Sequence, residues 1–177
     1  MCDMAVRSVE LNNLKDRVKI VNDDIRRAVE YFGSSSFDVV VSNPPYMVQG
    51  KGLINPSDTK AVSRHEILCT LEDVIEVSSR LLKPRGQMAM VHRPQRIADI
   101  LCLMRRYCIE PKYIRFVHPS PYKKANLLLV KGIKNANPYL KVMEPLYVYD
   151  MDGRYSDEIN TIYHRTENKK DEPVDKL

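Results

Sequence analysis

Glycine is scarce in this chain, and its placement excludes more than its number does. The 177 residues hold six glycines, none of them before Gly33. No glycine-rich phosphate or nucleotide cradle can therefore stand ahead of that point. Long apolar runs are missing too: nothing approaches the ~20 residues that a bilayer-spanning helix requires. The N-terminus shows no basic-then-apolar leader pattern, so a cytoplasmic location is expected. Four cysteines, Cys2, Cys69, Cys102 and Cys108, form no CxxC pair and have no companion histidine spacing. Reduced thiols and no metal site are the expectation. Internal repeats and low-complexity tracts are absent.

Acid is nearly missing from one third of the chain. Between Arg80 and Lys134, 13 Lys and Arg stand against only Asp99 and Glu110, a balance of +11. The remainder carries 15 basic and 21 acidic residues, or −6, and the two sum to the net +5. Such a concentration is expected of a surface that meets a polyanion. The competing reading is that some of these cations solvate helix faces and cap helix C-termini.

Against these absences stands one informative stretch, Phe37-Asp38-Val39-Val40-Val41-Ser42-Asn43-Pro44-Pro45-Tyr46. At this length and 44% apolar content the chain makes one domain with a real core. Three β-branched residues in a row read as a strand buried on both faces, as in parallel sheets. Two prolines then forbid both helix and ladder pairing, so the chain leaves the sheet. Ligands of open α/β sheets bind outside the carboxyl ends of the strands, and this turn falls there.

Asn-Pro-Pro-Tyr suits chemistry on a conjugated amine. The nitrogen of adenine or of a carboxamide is a poor nucleophile because its lone pair is delocalised. Two acceptors on its hydrogens draw it toward a tetrahedral, nucleophilic form. The side-chain oxygen of Asn43 supplies one acceptor, and the carbonyl of Pro44, held by proline torsions, supplies the other. Tyr46 offers a flat face for stacking. The bland alternative is a strand-ending turn, since Asn and Pro are ordinary turn residues.

Taken in order, residues up to Leu14 read as a helix with Met4, Val9 and Leu11 on it and Asn12-Asn13 as its stop. Val18-Lys19-Ile20-Val21 reads as a short strand. Asp23 or Asp24 then caps a helix carrying Ile25, Ala28, Val29 and Phe32. Residues 47–64 form a long connection of the kind that is functional or mobile. Arg64-His65-Glu66 ends it, either touching a phosphate or opening the next helix. Thr70-x-x-Asp73 has capping-box form, and the helix it opens is stopped by Lys83-Pro84-Arg85-Gly86. Residues 87–92 read as a strand, and Pro94 starts a helix ending on Arg105-Arg106. Residues 113–118 and 126–130 are two further strands, a reversed hairpin, joined through Lys123-Lys124. The tail adds a strand at 146–149, a turn at Asp152-Gly153 and a segment at 156–163. Residues 164–177 are expected to be charged and disordered.

Several segments occurring in order carry a family resemblance. They are Arg7-Ser8-Val9-Glu10-Leu11-Asn12-Asn13-Leu14, Asn22-Asp23-Asp24-Ile25-Arg26, Asn43-Pro44-Pro45-Tyr46, Arg64-His65-Glu66 and Leu82-Lys83-Pro84-Arg85-Gly86. With His92-Arg93-Pro94 and Val117-His118-Pro119, they resemble the bacterial tRNA1(Val) adenine-N6 methyltransferases over nearly all of residues 4–163. The Asn-Pro-Pro-Tyr motif alone is shared with protein glutamine, ribosomal RNA and DNA adenine methyltransferases. The resemblance implies an α/β fold, the Rossmann-like class I methyltransferase sheet, in a partial domain over 1–163 that lacks its first two strands and glycine-rich loop. The missing strands would lie between residues 18–21 and 37–42 in that sheet, which puts the pairing of 18–21 in doubt. The resemblance also implies S-adenosyl-L-methionine as cofactor and tRNA as partner. Catalytic roles fall to Asn43, Pro44 and Tyr46, cofactor contacts to Asp24 and Asn43, and substrate contacts to Pro45, Tyr46, Arg64, His65, Lys123 and Lys124. The other readings open at this point are a protein glutamine N5-methyltransferase and a non-catalytic RNA-binding remnant.

Overall fold

The structure, a computed structural model, describes residues 2–44 and 69–165. Its frame is a mixed sheet built on β2 (Leu82–His92). Alternate β2 residues Met88, Met90 and His92 are buried, as the two-residue period of a strand dictates. β1 (Phe37–Ser42) runs parallel to β2, with Val40 opposite Met88 and Ser42 opposite Met90. On the other side β4 (Leu127–Lys134) runs antiparallel, with Leu128 opposite His92. β3 (Ile109–His118) pairs antiparallel to β4, so the expected reversed hairpin is present. Two short strands, β5 (Lys141–Val142) and β6 (Leu146–Tyr147), add in parallel to the outer side of β3. The order is β1-β2-β4-β3-β5. The carboxyl ends of β1, β2 and β3 therefore share one rim.

Two helices cover one face. α3 (Leu71–Leu81) begins on the expected capping box: Thr70 Oγ1 accepts from Asp73 N–H at 3.1 Å, and the Asp73 carboxylate accepts from Thr70 N–H at 2.7 Å. Its Val74 and Ile75 pack with Ile100 and Met104 of α4 (Ile97–Arg106) against Met88, Met90, Ile114, Leu128 and Val130. Lys134 reaches back to the end of α3, where its Nζ donates to the carbonyls of Ser79 and Leu82. Among the described residues the opposite face is covered only near β3. There α5 (Asp157–Ile162) seats Ile159 beside Val117 and Leu146, and Arg115 grips Glu158 through two hydrogen bonds of 2.6 and 2.7 Å.

Three expectations are corrected. β1 is not buried on both faces: Val39 is 53% and Val41 74% exposed. Among the described residues it stands at the edge of the sheet, paired on one side only. A run of valines reads alike in a central strand and in an edge strand, because sequence periodicity carries no information about neighbours. Val18-Lys19-Ile20-Val21 forms no strand. Extended backbone becomes a strand only with a partner ladder, and none is described beside it. Finally, Lys83–Gly86 does not lie between helix and strand but inside β2. The register jumps from Phe37 opposite Leu82 to Val39 opposite Gln87, so these residues bulge from the ladder. Gly86 is required there, since a Cβ would come within 2.9 Å of the Lys83 carbonyl and 3.2 Å of that of Asp38.

The first helix, α1 (Cys2–Leu11), buries no residue, and Asn13 after it adopts φ 54°. Asp24 caps a 3-10 turn, Ile25–Arg27, that continues into α2 (Ala28–Phe32). At the other end, Arg165 stacks over the rings of Tyr155 and Tyr163, at 4.1 and 5.6 Å.

Candidate active site at the strand carboxyl ends

Asn43 and Pro44 leave β1 at the shared rim, with the Asn43 side exposed and Pro44 buried. That places the two expected amine acceptors on consecutive residues, one in reach of solvent and one fixed in the fold. Pro45, Tyr46, Arg64 and His65 lie outside the described residues.

The neighbouring strand ends on His92, which is 1% exposed. Its Nδ1 accepts the N–H of Arg93 at 2.8 Å. Burial holds its imidazole below the usual value of 6.5, and the nearby Arg93 and Arg96 add to that against the backbone bond and Asp99. Sequence reasoning places His92 on a strand but gives it no role. The signal was available, because Met88-x-Met90-x-His92 sets a polar side chain on the buried face.

The third strand end supplies a second histidine of opposite character. His118 Nδ1 lies 2.8 Å from the carbonyl of Lys123, so here Nδ1 must donate. This bond closes the 119–125 link and presents Lys123 and Lys124, both exposed. Arg93 reaches across the rim to the carbonyl of Asn126 at 3.1 Å.

The cations of residues 80–134 do not form one surface. Arg93, Arg96, Lys123 and Lys124 stand near the carboxyl rim, with Arg96 paired to Asp99. Lys83, Arg105 and Arg106 belong to the opposite end of the sheet and meet Asp38, Glu110 and Glu72. Lys112 and Lys134 there bond backbone carbonyls. The +11 contiguous in sequence is divided in space, and much of it is spent on ion pairs and capping.

Asp24 performs the capping that its position suggests. Its carboxylate accepts from the Arg26 backbone N–H at 2.9 Å and from the Arg26 guanidinium at both oxygens. The Arg26 side chain, then its backbone N–H, draw the carboxyl down to about 2. Neighbouring Asp23 is likewise lowered, chiefly by the Tyr31 hydroxyl. With so many of its acceptor positions occupied, Asp24 has little capacity left for a ligand amine. Of the four described glycines, Gly33 precedes β1, Gly86 and Gly132 belong to the far end, and Gly153 lies in the turn that follows β6. The described residues thus fit an amine acceptor better than they fit a methionine-bearing donor. Among them no group of three or more His, Cys, Asp and Glu could hold a metal ion.

The sheet order, with an antiparallel β4 inserted between two parallel strands, and the site at the carboxyl rim define a class. The fold is that of the class I methyltransferases. It matches a predicted O-methyltransferase from Agrobacterium tumefaciens with a TM-score of 0.71 at 23% identity, over 92% of this chain and 72% of that one. It also matches the geranyl diphosphate C-methyltransferase of Streptomyces coelicolor, with a TM-score of 0.55 at 12% identity, over 75% and 60%.

In sequence the chain is similar to the tRNA1(Val) (adenine(37)-N6)-methyltransferases. That of Aeromonas hydrophila is 29% identical over 133 residues, 75% of this chain and 55% of the relative. That of Bacteroides thetaiotaomicron is 34% identical over 95 residues, 54% and 38%. The chain spans about half the length of the curated relatives it matches. No family model matches it.

Proposed function

We propose that this chain carries the target-amine site of an S-adenosylmethionine-dependent methyltransferase acting on N6 of an adenosine in tRNA. The relatives' names point to adenosine 37 of tRNA1(Val). The observation that carries the reading is the placement of Asn43 and Pro44, one exposed and one buried, at the end of a parallel strand. In this reading the Asn43 Oδ1 and the Pro44 carbonyl accept the two amine hydrogens and localise the nitrogen lone pair. A strong base is not required, because the proton leaves to water after the methyl group has arrived. Tyr46 stacks on the base and Pro45 lines its pocket. Lys123 and Lys124, with Arg64 and His65, meet the phosphates of a loop whose base is splayed out. The same chemistry implies a cytoplasmic site of action. Asp24 takes the cofactor adenine only by giving up part of its hold on Arg26.

A second reading is RNA binding without methyl transfer. It is favoured by the engagement of Asp24 with Arg26. One experiment separates the two: incubation of the purified chain with unmodified tRNA1(Val) and S-adenosylmethionine labelled in the methyl group. Label recovered as N6-methyladenosine at position 37 is the expected outcome. Retention of the tRNA without label would support the second reading, and neither result would overturn both.

A further inference from the structure

We propose that Tyr122, at the tip of the link between β3 and β4, stacks on an unpaired nucleobase of the RNA, with Lys123 and Lys124 on the phosphates beside it. The inference rests on the tRNA reading given above and adds to it a base contact remote from the target amine. Tyr122 is 81% exposed. Every other described tyrosine meets a carboxylate, a cation or another ring; Tyr31 bonds Asp23, Tyr107 bonds Glu72 and Tyr113 lies under Lys131, for example. Among the described residues Tyr122 has no such partner, and the side chains of Lys123 and Lys124 stand in no ion pair.

The turn that carries the ring is braced. The Lys123 N–H donates to the Ser120 carbonyl at 3.1 Å, closing a turn whose second position, Pro121, has the fixed φ that suits it. His118 Nδ1 donates to the Lys123 carbonyl at 2.8 Å, and the Asn126 N–H to that of Val117 at 3.0 Å. From outside the link, the Tyr149 N–H reaches the Pro119 carbonyl at 2.9 Å, and Arg93 reaches that of Asn126 at 3.1 Å. The backbone is tied along its length while the ring stays in solvent, so little freedom is lost when a planar group stacks on it. A single exposed ring is ordinary on a protein surface. A ring with no partner in the described fold, followed directly by two unpaired cations, has both parts of a single-strand site: a face for a base and charge for the backbone. β2 and β4 separate β1 from β3. At ~4.8 Å per strand the end of β3 lies about 14 Å from that of β1, so the ring meets a base other than the target. Every base has a face to offer, so the contact adds affinity and fixes the position of the RNA loop without reading its sequence.

The test uses the full chain and unmodified tRNA1(Val). With 3-fluorotyrosine incorporated throughout, the 19F signal that vanishes in Tyr122→Phe belongs to Tyr122. That signal is expected to shift as the tRNA is added, and to stay in place when a fully paired RNA duplex is added instead, since its bases present no free face. Equilibrium binding of the tRNA is expected to weaken by at least about fivefold in Tyr122→Ala and Tyr122→Leu, and to stay within about twofold in Tyr122→Phe. Stacking neutralises no phosphate, so the slope of log affinity against log salt is expected to be the same in Tyr122→Ala as in the wild type. A Tyr122 signal unmoved by the tRNA, wild-type affinity in Tyr122→Ala, or a loss in Tyr122→Phe equal to that in Tyr122→Ala would each overturn the proposal. So would an equal response to the duplex, which would mark a contact to the RNA backbone alone. Stacking by Tyr122 in a chain that transfers no methyl group would sink the enzymatic reading and leave the role of Tyr122 standing. Methyl transfer and tRNA affinity both indifferent to Tyr122→Ala would do the reverse.

Discussion

Two side chains at the rim make separate predictions. If Asn43 supplies an acceptor to the target amine, Asn43→Ala abolishes methyl transfer while leaving tRNA affinity within about twofold. The phosphate contacts that dominate affinity lie elsewhere. Parallel filter-binding and methylation assays would show it, and equal loss of both would indicate a damaged fold. His92 makes a prediction about stability. Its buried ring stays neutral in the folded chain, while in the unfolded chain it takes up a proton as pH falls through its usual 6.5. Acid therefore favours the unfolded state in that window, so this contribution is complete above about pH 7 and declines below it. Denaturant titrations of wild type and His92→Gln between pH 7 and 5 should differ in slope, with the variant flatter. Most of this was hidden in the sequence. The end of β1 before Asn43 could be read because a proline breaks a ladder locally, whereas the burial of His92 depends on which strand lies beside it.

Elements with local causes were legible, and those that need a neighbour were not. The start of α3 could be read to the residue, because the Thr70 and Asp73 side chains satisfy each other's backbone N–H groups without help from elsewhere. Thr70→Ala should cost about 1 kcal/mol, seen as a lower denaturant midpoint at unchanged slope. The hairpin of β3 and β4 was legible for the same reason. Residues 18–21 and β1 were misread because a strand is a relationship: the same valines serve an edge or a centre. The Lys83–Gly86 segment shows the reverse error. Its Pro and Gly announce a break, and the break exists, but as a bulge within a strand whose ladder resumes at Gln87.

For the whole molecule, charge is the property that sequence order distorts most. Thirteen cations between Arg80 and Lys134 suggest one binding stripe. The fold sends Lys83, Arg105 and Arg106 to the far end, where each meets an acid. The number of phosphates neutralised at the rim should therefore be small. The plot of log affinity for tRNA against log salt should have a slope of only about −2 to −4. The double variant Lys123→Ala/Lys124→Ala should flatten it by about 1 to 2, whereas Lys83→Ala should leave it unchanged. A steep slope, indifferent to Lys123 and Lys124, would mean that the RNA lies elsewhere on the surface.

The one-sided pairing of β1 has a consequence for how firmly the site is held in time. Only alternate amides of Phe37–Ser42 point into the β2 ladder; the others face an edge that is open among the described residues. Exchange with deuterium should reveal that as a two-beat pattern, slow and fast by turns. The strand that ends on Asn43 is then the one most easily loosened. By reciprocity, any polypeptide that closed that edge would tighten the turn, and any ligand that tightened the turn would strengthen the edge's hold on its partner.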